Sequence, residues 1–107
     1  MGFFTGPSKD ALQGMAQGVA VVISQVLFLN TLEPSARRDL AKQMEAEGLP
    51  TVTTDAFSMA GQVITEQNMG THKRSQFLGM IQGNLVAMGI SHAEATHYRN
   101  MIELAGR

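Results

Sequence analysis

The sequence predicts an all-α fold, a compact bundle of about five helices with a long apolar first helix. Helix start and stop signals divide the chain into five segments joined by short connections. The period-two alternation of apolar and polar residues that marks strands is nearly absent. Apolar residues make up 44% of the 107-residue chain, which is enough for a packed core. We therefore expect residues 1–107 to form one helical domain.

The first helix is predicted over about residues 8–30. Pro7 and Ser8 form a start signal, and Asp10 in the first turn suits the positive end of the helix dipole. No charged side chain occurs in residues 11–32. This segment is therefore the most apolar helix of the chain.

The second and third helices are predicted over about residues 34–47 and 54–69. Pro34 fits the first position of a helix, and Gly48 followed by Pro50 ends it. Residues 51–53 form a connector. Gly70 is the predicted end of the third helix.

The fourth and fifth helices are predicted over about residues 71–88 and 91–105. Thr71 is the predicted N-cap of the fourth helix, and Gly89 followed by the apolar Ile90 ends it. Ser91 and Glu94 have the spacing of a capping box at the start of the fifth. Because the connections are short, neighbouring helices should fold back on one another.

Composition and charge exclude several classes of protein. The chain has no cysteine, which excludes a disulfide framework, a zinc ribbon and thiol chemistry. Its net charge is −1, so no strong overall attraction to nucleic acid is indicated. Residues 1–9 lack the features of a secretory signal, and we expect a cytoplasmic protein. Only 16% of residues are charged, which predicts that another copy, a partner or a membrane covers part of the surface.

Three interpretations compete for the first helix: burial in the domain, burial in a homo-oligomer, and a membrane span. Its length matches the thickness of a bilayer. However, Gln13, Gln17 and Ser24 share one face, and polar side chains in lipid are costly unless each finds a partner. We therefore favour burial in the domain or in an oligomer, with a homodimer as the default and higher rings as the alternative.

Pairs of glycines four residues apart predict close helix crossings in two helices. Gly14 and Gly18 lie in the first helix, and Gly79 and Gly83 lie in the fourth. Such pairs open a groove that lets another backbone approach closely. The predicted self-association residues are Gly14, Gly18, Val22 and Leu29.

Cations at two helix N-termini predict a site for an anion or an acidic partner. Arg37 and Arg38 begin the second helix, and Lys73 and Arg74 begin the fourth, where each cation opposes the helix dipole. Free backbone N–H groups beside cations bind anions well. The alternative is a solvated face with intramolecular ion pairs, such as Arg38 with a nearby carboxylate.

Residues 85–100 resemble a helix-turn-helix unit, with Gly89 in the turn and the fifth helix as the reading helix. Glu94 in that helix opposes a phosphate-rich groove, and an ordinary αα-hairpin accounts for the same pattern. The candidate DNA-reading residues are His92, Thr96, Arg99 and Asn100.

No catalytic residue, cofactor or metal ligand is predicted. The chain has no G-x-S-x-G, phosphate-binding-loop or dinucleotide-binding motif. His92 and His97 are five residues apart, so they point in different directions on one helix, whereas metal-binding pairs are three or four apart.

The favoured function is a non-enzymatic small helical interaction module that self-associates and binds a protein or an anionic ligand. The first alternative is a helix-turn-helix DNA-binding regulator. The second is a small membrane-inserting protein with one span near residues 11–32. An enzyme is a further alternative, but no residue in the chain supports it.

Overall fold

Five α-helices make up the fold in the computed structural model, which describes residues 7–107. They are α1 (Lys9–Leu29), α2 (Pro34–Ala46), α3 (Thr53–Glu66), α4 (Thr71–Ala87) and α5 (His92–Ala105). The predicted all-α fold with a long apolar first helix is confirmed. Residues 1–6 lie outside the described residues. They make up most of residues 1–9, the stretch predicted to lack the features of a secretory signal.

Serine side chains cap the N-termini of α1 and α5. The Ser8 hydroxyl accepts a hydrogen bond from the Ala11 N–H at 3.2 Å, and the Ser91 hydroxyl accepts one from the Glu94 N–H at 3.2 Å. Each bond satisfies a backbone donor that the helix itself leaves free. The Glu94 carboxylate accepts a hydrogen bond from the Tyr98 hydroxyl at 3.4 Å, so only the serine half of the predicted capping box is formed.

Glycines end α2 and α4 as predicted. Gly48 has φ +75° and Gly89 has φ +97°, a left-handed conformation that only glycine adopts without strain. The apolar residue after each glycine then closes the helix end. The N–H of Leu49 donates to the Met44 carbonyl at 2.9 Å, and the N–H of Ile90 donates to the Leu85 carbonyl at 3.1 Å.

The junction between α3 and α4 differs from the prediction by two residues. Asn68, with φ +52°, takes the left-handed position that was assigned to Gly70, because asparagine also tolerates this conformation. Gly70 is instead the N-cap of α4, and Thr71 is the first helical residue rather than the cap.

α1 is the central helix of the bundle. It packs against α4, α3 and α2, and α5 completes the core by packing against α3 and α4. One side of α1 is buried. The buried residues of α1 are Leu12, Ala16, Val19, Ala20, Ile23, Val26 and Leu29. The buried side chains of all five helices form a single cluster, to which α4 contributes Phe77, Ile81 and Leu85.

Among the helical glycines of the described chain, the tight contact lies at Gly61, where α3 meets the end of α5, not at the glycine pairs. A Cβ atom added at Gly61 would lie 2.7 Å from the backbone carbon of Ala105 and 2.7 Å from the nitrogen of Gly106. No atom lies within 4 Å of a Cβ added at the predicted glycines, which are Gly14, Gly18, Gly79 and Gly83. The predicted close crossings are therefore wrong within the chain, because these four glycines face outward.

α2 is the least buried and most highly charged helix. Met44 is its one buried residue, and its main contact is with α1. Seven charged residues lie in residues 33–47. Many of the charged residues therefore lie on or beside α2, whereas the faces of α1 and α4 carry very few charged residues.

Candidate functional site

A second regular row of residues runs along α1, away from its buried side. Its members are Ala11, Gly14, Gly18, Val21, Gln25 and Phe28, and all six are exposed. We call this row the exposed seam. Its members are separated by alternating steps of three and four residues, the spacing of the a and d positions of a coiled-coil heptad. Along the buried side, positions 12, 16, 19, 23 and 26 follow the same spacing.

Apolar side chains project from the C-terminal half of the exposed seam. Val21 is 39% exposed and Phe28 is 58% exposed. Isolated exposed apolar residues are ordinary on protein surfaces. Here they belong to one continuous row without a charge, and such a face is typical of an interaction surface.

α4 extends this charge-free surface beside α1. Small residues at four-residue intervals, Ser75, Gly79, Gly83 and Ala87, form an exposed ridge along α4. Residues 75–87 of α4 carry no charge, and neither do residues 11–29 of α1. A hydrogen bond of 3.3 Å from the Ser24 hydroxyl to the Met88 sulfur also links α1 to the end of α4.

A groove lies between α1 and α4 on this surface. Its volume is about 300 Å³. It is lined by Gln13, Met80, Gly83, Asn84 and Ala87. Gln13, the one residue of α1 that lines the groove, places it at the N-terminal half of α1, at the same height along the helix as Gly14.

The predicted self-association residues divide into exposed and buried members. Gly14 and Gly18 lie on the exposed seam, and Val22 is half-buried against the core. Leu29 is only 3% exposed and belongs to the core, so its assignment to the surface is wrong. Phe28 takes the surface position instead. The three-and-four spacing counted from Gly14 leads to Phe28 and was the signal that the prediction missed.

Arg37 has a structural partner that explains its position at the start of α2. Its Nη2 atom donates to the Leu32 carbonyl at 2.9 Å and to the Asn30 carbonyl at 3.5 Å. These carbonyls follow the C-terminal end of α1, where a cation is favourable to the helix dipole. Arg37 therefore opposes the dipole of α2 by its position, but it makes a favourable contact with the end of α1.

The four candidate anion-binding cations lie on two separate helices. Arg38 is exposed, whereas Lys73 and Arg74 are half-buried at the start of α4. α2 and α4 do not pack closely against each other, so helix packing does not gather the four cations. Within residues 7–107, Arg38 forms no ion pair with a carboxylate. In the same range, the Nε atom of Arg74 is buried without a hydrogen-bond partner.

Two of the candidate DNA-reading residues take part in contacts between α4 and α5. The Arg99 guanidinium donates to the Gln82 side-chain oxygen at 3.1 Å, and the Gln82 amide donates to the Thr96 hydroxyl at 3.0 Å. Arg99 is half-buried in this arrangement, unlike the outward orientation expected of it. His92 and Asn100 are exposed.

Tyr98 anchors α5 to α3. Its ring lies 5.7 Å from the ring of Phe57, measured between centroids, in a tilted arrangement. Burial raises the pKa of the Tyr98 phenol above its usual value, and the negative charge of Glu94 and the hydrogen bond to it act in the same direction. Among residues 7–107, no group of three or more histidines and carboxylates is placed to hold a metal ion.

α1 is long and apolar enough to cross a membrane by length and composition alone. The buried core helix of a soluble protein meets the same criteria. Seven of the 21 residues of α1 are buried among the other helices, and 39% of its most apolar stretch is buried, so the core accounts for part of its apolar character. Packing in the core does not account for the exposed seam.

Comparisons with protein-family models, with curated protein sequences and with solved structures find no match for this chain. The surface of the protein is therefore the basis for a proposed function. The exposed seam, the ridge of α4 and the groove between α1 and α4 form a charge-free surface to which the packing of one chain gives no role.

Proposed function

We propose that the protein is a non-enzymatic helical module that self-associates as a homodimer through the exposed seam of α1. One observation carries the proposal. The exposed seam runs along most of α1 without a charge and carries Val21 and Phe28, yet the other described helices leave all six of its residues exposed. A second helix packed along it would use the same spacing as the packing inside the bundle.

The composition of the seam favours a second copy of the chain as the occupant. In a two-fold dimer each surface meets itself, so any charge near the axis faces a like charge. The exposed seam has no charged residue and therefore avoids this repulsion. Gly14 and Gly18 present no side chain, which lets the backbone of a partner helix approach closely.

The apolar members of the seam supply the driving force. Val21 and Phe28 are exposed in one chain and become buried when a partner helix covers them. Full burial of a completely exposed side chain of this kind contributes about 1.5–3 kcal/mol. Val21 and Phe28 gain only the share that corresponds to their exposed fractions, 39% and 58%. The glycines add close backbone contact, so the two halves of the seam contribute in different ways.

The charged surface of α2 is left free in such a dimer for binding other molecules. Arg38 on α2 and the half-buried Lys73 and Arg74 on α4 remain the candidate residues for a protein partner or an anionic ligand. DNA binding through α5 draws no support from the exposed seam and stays a prediction. A membrane span near residues 11–32 also stays a prediction, since a charge-free face suits lipid as well, and the mass measured without detergent separates it from a second copy.

Light scattering after size exclusion, without detergent and over a range of protein concentrations, tests this proposal. We expect a mass twice the 11.5 kDa of one chain, unchanged between low and high salt because the interface contains no charge. A monomer at every concentration would contradict self-association. A protein that stays in solution only with detergent would also contradict it and would favour the membrane alternative.

A further inference from the structure

We infer that the two copies pair in antiparallel orientation, with Phe28 of each copy packed at the Gly14 end of the other. This inference rests on the proposed self-association. It follows from a gradient of side-chain size along the exposed seam. The N-terminal half consists of Ala11, Gly14 and Gly18, and the C-terminal half consists of Val21, Gln25 and Phe28.

A parallel, in-register pair fits this gradient poorly. It would place glycine against glycine at one end and phenylalanine against phenylalanine at the other. The first end would be left with a gap and the second would be overfilled, although helix interfaces pack without voids. Two helices in contact along their length cannot satisfy both ends at one interaxial distance.

An antiparallel pair that crosses near Val21 removes the mismatch. Gly14 and Phe28 are each seven residues from Val21, which is about 10 Å along the helix axis in either direction. Reversing one helix about Val21 therefore brings a large residue opposite a small one at both ends. Gln25 of one copy likewise meets the region of Gly18 in the other.

The groove between α1 and α4 provides a second, independent observation. Gln13 lines it, so it lies at the height along α1 that the phenyl ring of the other copy reaches in this arrangement. Met80 and Ala87 give it apolar walls, and Gly83 leaves space for a ring. Its volume of about 300 Å³ accommodates an aromatic side chain. Methionine sulfur also makes favourable contacts with aromatic rings.

The exposed aromatic side chain and the groove are thus complementary features of one chain that do not meet within that chain. Phe28 is at the C-terminal end of α1, and the groove adjoins residues near its N-terminal end. A two-fold axis near Val21 forms the contact twice. It also brings the small residues of α4 into the interface, which gives a role to the exposed ridge.

Single-cysteine variants test the orientation cleanly because the chain has no cysteine of its own. Gln17→Cys and Gln25→Cys change exposed residues four positions before and after Val21, and they keep the glycines and Phe28 intact. A disulfide needs Cα atoms within about 7 Å. In an antiparallel pair position 17 of one copy meets position 25 of the other, whereas two copies of position 17 are about 12 Å apart along the axis.

The two purified variants are mixed under reducing conditions, allowed to exchange subunits, oxidised mildly and separated on a non-reducing gel. We expect cross-linked dimer in the mixture at several times the yield of either variant alone. Each variant alone should cross-link no more than Gln43→Cys, which reports random collision from an exposed position on α2.

Efficient cross-linking of each variant with itself would overturn the inference in favour of a parallel pair. A dimeric mass without cross-linking at either position would also overturn it, because the interface would then lie away from the exposed seam. The mass of the reduced wild-type protein is measured in parallel. A monomer in that measurement would overturn the proposed self-association itself, which separates the two failures.

Discussion

The helical glycines of the described chain occupy two kinds of environment. Gly61 sits at the crossing of α3 and α5, where a Cβ atom would lie 2.7 Å from backbone atoms of the neighbouring segment. Gly79, like the glycines of α1, has no atom within 4 Å of the position that a Cβ would take. Of these glycines, only Gly61 is required by the packing within one chain.

Replacing each of these glycines with alanine should change stability in opposite directions. Gly61→Ala forces the α3–α5 crossing apart and should lower the free energy of unfolding by about 1–3 kcal/mol. Gly79→Ala adds a better helix former in open space and should raise it by about 0.5–1 kcal/mol. Urea denaturation at a protein concentration where the wild-type chain is monomeric measures both, because the ridge of α4 that contains Gly79 belongs to the proposed dimer interface. A loss of stability in Gly79→Ala under these conditions would contradict the open surroundings of this glycine within one chain.

Single residues that act through local backbone geometry were predictable from the sequence. Ser8, Gly48 and Gly89 cap or end their helices through contacts within six residues along the chain, and the structure has them in those roles. The sequence did not show which of Phe28 and Leu29 is buried. Both are apolar, and consecutive side chains on a helix point about 100° apart. Which of them is buried depends on where the other helices pack.

At the scale of the element, α1 has two apolar sides with the same spacing. Its boundaries were predicted to within one residue, since Ser8 and the turn after Leu29 mark them locally. The division into a buried side and an exposed seam was not predicted. Val21 and Phe28 on the exposed seam are apolar like the buried residues of α1, so hydrophobic periodicity did not separate the covered side from the exposed seam.

The exposed seam can be tested through its largest side chain. Phe28→Ala should weaken the dimer about tenfold or more, because the burial of the phenyl ring on association is lost. Leu104→Ala is the matched control, since Leu104 is 61% exposed on α5 and Phe28 is 58% exposed on α1. Sedimentation equilibrium gives the dissociation constant of each variant.

Both side chains are largely exposed in one chain, so neither change should unfold the bundle. Circular dichroism at the same concentrations checks that the helices are retained. If both variants had the dissociation constant of the wild-type protein, Phe28 would not be in the interface, and the proposed surface would be in error.

At the scale of the whole molecule, charge is distributed unevenly. Residues 33–47 contain seven charged side chains, whereas the neighbouring faces of α1 and α4 contain none over residues 11–29 and 75–87. The low overall charge of the sequence predicts that part of the surface is covered, and this stays a prediction. The place of the charge-free surface could not be predicted, because it forms where α1 and α4 pack side by side, which depends on contacts between distant parts of the chain.

Self-association through the exposed seam of α1 depends on an interface without charge. The most direct test compares the solution mass of Val21→Lys with that of Val52→Lys, because Val52 is 49% exposed outside the seam and Val21 is 39% exposed at its centre. A lysine at position 21 places two like charges together near the two-fold axis, and we predict a monomer for Val21→Lys and a dimer for Val52→Lys. A dimer that persists in Val21→Lys at the concentrations where the wild-type protein is dimeric would contradict self-association through this surface.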